Sequence, residues 1–216
     1  MPSDRTSLRQ RFRDVITTEA ELRAALGYPG DKATAKVVPT IDTFSRRFIA
    51  ASPFLLIGSA GAGGMIDVSP KGDPAGFVKV LDDKTLAIPD RLGNARLDTF
   101  RNILANLNIG LIFLIPGVTY TLRVSGKAMI VRDMDLRETM AMNGKPPAHV
   151  IVVDVEQVLT HCPKCMVRSG LWQPEKWPDV AAVPPFAETL AAHAKLADSI
   201  AELNEFLDRD TREKLY

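Results

Sequence analysis

The chain has 216 residues, of which 46% are hydrophobic and 25% charged, the range of an ordinary soluble globular protein. That length suits one sizeable domain with extensions or two small ones. Lys+Arg 27 against Asp+Glu 26 leaves a net charge of +1, which argues against a nucleic-acid surface, since that needs a basic stripe. Any anion site should therefore be local and small. The opening MPSDRTSLRQRFRD has neither apolar run nor cleavage pattern, so no signal peptide is expected. The longest apolar stretch, IGLIFLIPGV, is about half a bilayer span, so no membrane crossing is expected. With two cysteines only, both in HCPKC, a disulfide scaffold is not expected and the cytoplasm is the default location.

In chain order, residues 4–26 read as a polar, arginine-rich helix. Thr18 and Glu21 make a possible capping box, and Gly27 is a stop. Residues 28–39 read as loop. DTFSRRFIAAS reads as a short helix with Asp42 as N-cap and Phe44, Phe48 and Ile49 on one face. After Pro53 the texture becomes short β segments. FLLIGSA, the turn GAGG and MIDVSP form one hairpin; GFVKVL and KTLAIP, around Asp82-Asp83, form another. ARLDTFRNILAN is a helix with Leu97, Phe100, Ile103 and Leu104 at helical spacing. NIGLIFLI and TLRVSGKAMIVRD are strands separated by Pro116-Gly117. DLRETMAMNG is a short helix closed by Gly144, and AHVIVVDVEQVL is a last strong strand. From Pro184 the tail reads as one long amphipathic helix, with Leu190, Ala194, Ala197, Ile200, Leu203 and Leu207 on one stripe. Short sequential strands joined by tight turns predict an antiparallel barrel, not a parallel doubly wound sheet.

Few motifs carry chemistry. GSAGAGG leads into a strand, where a dinucleotide fingerprint needs a helix, so it reads as a hairpin turn. HCPKC offers one His and two Cys with no second ligand pair, and the antiparallel pattern supplies no thioredoxin-like setting; it reads as two cysteines beside a loop. His149 and His193 read as structural, and no Ser-His-Asp or paired-carboxylate arrangement is visible. Two basic turns remain. DVSPKGDPAG carries Ser69, Lys71 and Asp73; IPDRLGNARLDTFRNI carries Arg91, Arg96 and Arg101 around one strand-to-helix junction. Asn94 is well placed to cap the following helix, whose free N–H groups would face the same spot as Arg91 and Arg96. Arginine adds bidentate bonding to phosphate. The residues alone leave two readings open: a phosphate site, or a solvated turn in which Asp98 and Arg101 pair locally.

The run from Met65 to Asp133, with SPKGD, IPDRLGNARLDTFRNI and IFLIPG followed by TLRVSGKA, resembles the pyridoxamine 5′-phosphate oxidase-related family of FMN-binding split-barrel proteins. The likeness covers roughly residues 44–172, HCPKCMVRSGLW included, though Cys165 falls where relatives are expected to carry an ordinary small residue. It implies a mainly β fold with flanking helices: a six-stranded antiparallel split barrel that forms a homodimer, with FMN in a groove between subunits. Its implied layout is an N-terminal helical extension (1–41), a barrel core (42–160) and a flavin-covering segment with a C-terminal helix (161–216). On matching positions, Arg91, Asn94 and Arg96 become phosphate ligands, and Val68, Ser69, Pro70 and Lys71 line the flavin. Lys164, Arg168, Ser169 and Trp172 are expected to reach the flavin of the other subunit. The implied activity is hydride transfer between a small-molecule substrate and FMN, with Lys71 favouring the reduced flavin. The alternatives are a flavin carrier or redox sensor without turnover, or the same groove holding haem or a deazaflavin. The tail, ending RDTREKLY, does not align with the basic C-terminal pattern by which vitamin B6 oxidases hold substrate phosphate, so a vitamin B6 substrate is not expected.

Overall fold

The computed structural model describes residues 10–216, so the part of the first expected helix over 4–9 lies outside the described residues. The chain divides into two compact units, one up to Lys36 and one from Val37 to Tyr216. In the first, helix α1 (Glu19–Leu26) begins where the capping box sets it: Thr18 accepts from the Glu21 N–H at 3.2 Å, and Glu21 accepts from the Thr18 N–H in return. Residues 10–18 are not helical, contrary to the sequence expectation, because that box satisfies the first turn and fixes the start. A short helix α2 (Asp31–Ala35) stands where loop was expected.

The second unit is one antiparallel sheet with helices on its flanks. Its strands are β1 (Val37–Val38), β2 (Phe54–Ala60), β3 (Ile66–Gly72), β4 (Lys79–Val80), β5 (Thr85–Pro89), β6 (Asn108–Leu114), β7 (Thr121–Val131) and β8 (Val150–His161). Six have five or more residues; β1 and β4 have two each. The order is β3-β2-β6-β7-β8-β5-β4, with β1 on β8, and the end strands β3 and β4 do not pair, so the sheet is not closed. Both expected hairpins form, and GAGG is the turn of the first: the Gly61 N–H donates to the Met65 carbonyl at 3.0 Å, with Gly64 at φ 77. A bulge between Ser125 and Gly126 lets β7 bend across β8. A Cβ at Gly126 would collide with the Asp154 carbonyl, so only glycine fits there.

Alternation builds the core. Leu55, Ile57, Leu111, Phe113, Leu122 and Val124 are fully buried on the inner face, joined by Leu86, Ile88, Ile151 and Val153. Helix α3 (Thr43–Ala51) caps on Asp42, whose carboxylate accepts from the Ser45 N–H at 2.7 Å, and buries Phe48 and Ile49; Phe44 points outward, 76% exposed. Helix α4 (Asp98–Ala105) buries Ile103, while Leu97 and Leu104 are exposed.

Two further expected helices are shorter than their patterns. Helix α5 (Met134–Glu138) ends before Gly144, because Asn143 and Gly144 adopt positive φ and close a tight turn between Met142 and Lys145. The tail is two helices, α7 (Phe186–Ala194) and α8 (Ile200–Glu213), after a short α6 (Lys164–Ser169). Lys195 takes the left-handed conformation that ends α7, and Ser199 with Glu202 forms a capping box that starts α8. The expected single stripe is therefore interrupted, and only Leu203 of its members is buried.

Candidate functional site

Strand β3 lies at the sheet edge and pairs only with β2. Its alternation is inverted relative to the core strands: Asp67, Ser69 and Lys71 face the side where β2 carries Ser59, Ile57 and Leu55, while Ile66, Val68 and Pro70 face outward. A polar inner side on an edge strand cannot pack a core, and a cavity of about 700 Å³ lies against it. The other walls are the loop from Asp90 to Leu97, the start of α4, and the segment around Arg137, Met142 and Lys145. The volume is that of a small-molecule site.

The loop that leaves β5 is held by main chain and side chain together. The Asp90 N–H donates to the His149 carbonyl at 3.0 Å. Arg91 Nε donates to Asp73 Oδ2 at 2.6 Å; the Arg91 side chain is 18% exposed and that of Asp73 1%. This bond uses Nε and leaves the terminal guanidinium nitrogens for the cavity that Arg91 lines. Arg96 is held less firmly. Its Nε donates to Asp98 Oδ2 at 2.8 Å, and its side chain is 71% exposed. Ala95 and Leu97 both have positive φ, 55° and 59°, which strains a residue with a Cβ. Backbone strain of this kind clusters at binding sites, where the surroundings over-determine it.

Two expectations about this loop are corrected. Asn94 does not cap α4: its side chain accepts from the Arg96 N–H at 3.1 Å, an Asx turn, and the cap position is Leu97, with no side-chain hydrogen bond. The Asp98 partner is Arg96, not Arg101, because the left-handed turn brings Arg96 back over the helix start.

The cavity brings together Val68, Ser69, Pro70, Lys71, Arg91, Asn94 and Arg96. Lys164, Arg168, Ser169 and Trp172 do not line it; the Trp172 indole N–H donates to the Val118 carbonyl at 2.9 Å. Sequence reading missed the third wall. Arg137, whose Nε donates to the Pro147 carbonyl at 2.6 Å, and Lys145 add two cations; Asn143-Gly144 signals only the turn that leads into Lys145, and nothing local sets that turn against the cavity. It also missed Asp90. Burial raises its carboxyl above the ordinary range, against the lowering pull of Lys71, His149 and Arg91. The lining thus holds five cations, Lys71, Arg91, Arg96, Arg137 and Lys145, against Asp67, Asp90 and Asp98. A local excess of fixed cations in a cavity suits an anionic ligand. Cys162 and Cys165 are free, exposed and away from the cavity.

Among known families, the one described as pyridoxamine 5′-phosphate oxidase matches residues 41–162, more than half of the chain. The chain belongs to the pyridoxamine 5′-phosphate oxidase family, as its motifs lead one to expect. No curated protein matches it. Solved structures similar to it include HupZ of Group A Streptococcus, 21% identical over 56% of this chain and 93% of that one, with a TM-score of 0.45. An FMN-binding protein from Syntrophomonas wolfei is 12% identical over 53% and 82%, with a TM-score of 0.43. General Stress Protein 26 of Bacillus anthracis is 12% identical over 53% and 88%, with a TM-score of 0.41.

Proposed function

We propose that this chain binds FMN in the β3 cavity as a homodimer and passes a hydride between a small-molecule substrate and the flavin. The observation that carries the reading is Arg91: a guanidinium fixed through Nε by a buried carboxylate, with its terminal nitrogens left for an anion in a cation-rich cavity. That donor set fits a phosphate, which accepts paired, charge-assisted hydrogen bonds. Arg96 and Asn94 complete the phosphate end. Ser69 and Lys71 supply a hydroxyl and a cation along the inner side of β3, and Val68 and Pro70 supply apolar surface at its rim. When bound, FMN supplies the redox chemistry, and the chain's part is to hold, orient and shield it. Lys71 would favour a ligand that gains negative charge on reduction.

The dimer is supported by the outward face of β2, β3 and β6. Phe54, Ile66, Val68 and Ile112 are exposed there, and in register with Ile112 stands Arg123, whose buried Nε has no hydrogen-bond partner among the described residues. A bare apolar patch and an orphan donor together call for a covering surface. Because Val68 and Pro70 belong to that face and also line the cavity, a second copy seated on the face would complete the cavity wall. Lys164, Arg168, Ser169 and Trp172 are then assigned to the flavin held by the other copy. Among the described residues, no helix is long and apolar enough to cross a membrane.

The test is an absorbance spectrum of the purified protein, followed by chromatography of the heat-released chromophore. Twin near-ultraviolet and blue bands with released FMN are expected. A colourless protein that takes up no added FMN overturns the reading.

A further inference from the structure

Asp73 holds more than Arg91. Its second oxygen, Oδ1, accepts a hydrogen bond from the Tyr216 hydroxyl at 2.7 Å. The Tyr216 ring lies 6.0 Å from the Arg91 guanidinium carbon, and Lys145 Nζ donates to the main-chain oxygen of Tyr216 at 3.2 Å. Tyr216 therefore touches two cations of the cavity, Arg91 and Lys145, and forms part of the wall itself. The residue lies 143 positions from Asp73 in sequence, so only the fold brings the two together.

We infer that Tyr216 is a positioning residue for the anion site, acting on Arg91 through Asp73. The argument is one of hydrogen-bond count. A carboxylate that is 1% exposed needs donors on both oxygens, and Arg91 Nε serves only one of them. Without the phenol, Asp73 would turn to recover a second donor, and a terminal nitrogen of Arg91 belongs to the same guanidinium whose Nε it already holds. That pairing would commit the terminal nitrogen to Asp73 and withdraw it from the cavity. The Tyr216 hydroxyl prevents it by occupying Oδ1. A tyrosine is protonated at neutral pH in any case, and the bond to Asp73 pushes the phenol further up, so the hydroxyl donates throughout the neutral range. The ring adds a second restraint, since an arginine beside an aromatic face gains from staying there.

The inference rests on the FMN reading above, and riboflavin separates the two, because it has the isoalloxazine ring without the phosphate. Affinities of the full chain for FMN and for riboflavin are measured by flavin fluorescence in wild type, Tyr216→Phe and Asp73→Asn. Wild type is expected to prefer FMN. Tyr216→Phe keeps the ring and loses the hydroxyl; its FMN affinity should fall about tenfold, the size of one hydrogen bond to a charged group, with riboflavin affinity unchanged. Asp73→Asn should lose the preference at least as far. Equal losses for both ligands would indicate a structural role and overturn the inference, as would an undiminished FMN preference in Tyr216→Phe. A wild type that holds FMN no tighter than riboflavin would overturn the phosphate assignment first, and this inference with it.

Discussion

Strands β2 and β6 carry apolar residues on both sides, and the two sides meet different fates. Leu55, Ile57, Leu111 and Phe113 are fully buried within the unit, whereas Phe54 and Ile112, one position away, are each 38% exposed. The same strands and the same side-chain chemistry thus serve two purposes. Burial of a large side chain contributes about 1.5–3 kcal/mol to folding, and only the inner set collects it within one chain. The outer set offers that contribution to something else. Apolar content alone therefore says little about which residues hold a domain together; which side of the pleat they occupy decides it.

Substitutions can break this contrast. Phe113→Ala should lower unfolding free energy by about 3–5 kcal/mol in urea titrations, since it empties the middle of the inner layer; Ile112→Ala should cost far less at high dilution. Where the two faces meet, at the cavity, replacing Arg91 and Arg96 together by Ala should weaken FMN binding by about 3 kcal/mol and also lower the melting temperature, because the buried Asp73 carboxylate loses the Arg91 donor. Most of that loss should follow Arg91, because Arg96 is largely exposed and screened. Ile112→Arg should shift the protein from dimer to monomer in sedimentation and leave each chain folded; a wild type already monomeric at micromolar concentration would end the dimer reading. The smallest effect concerns Asp90. A carboxyl with a raised folded pKa binds protons more tightly folded than unfolded, so its contribution to stability falls as pH rises through the window above the ordinary aspartate value of 3.8. Asp90→Asn should thus raise the melting temperature at pH 7, with a gain that shrinks toward pH 4.

Much of the sheet was legible from the sequence. Alternation and turn residues located all the long strands, and Thr85–Pro89 ends where Asp90 begins the loop. The tail was not, although the rule that placed α1 applies there too: Ser199 and Glu202 repeat the pattern of Thr18 and Glu21. A continuous apolar stripe outweighed the local cap, and the cap is what the backbone obeys, since it satisfies N–H groups that a stripe cannot. In the cavity, the charged residues of two consecutive segments could be paired by motif. The Arg137–Lys145 wall and Tyr216 could not, because their proximity comes from the path of β7 and β8 and of the tail, which no local pattern encodes. The strain at Ala95 and Leu97 was hidden for a related reason: neither residue type announces a left-handed backbone.

Pro70 gives the edge strand a second significance. A strand with one free side exposes a row of unpaired donors and acceptors, a template on which any extended chain can grow. Proline carries no N–H, so at Pro70 that row is broken in the middle of β3. The residue that shapes the cavity rim thus also guards the sheet against runaway polymerisation. A variant such as Pro70→Val, chosen only to reshape ligand binding, would restore an uninterrupted ladder and trade solubility for fit.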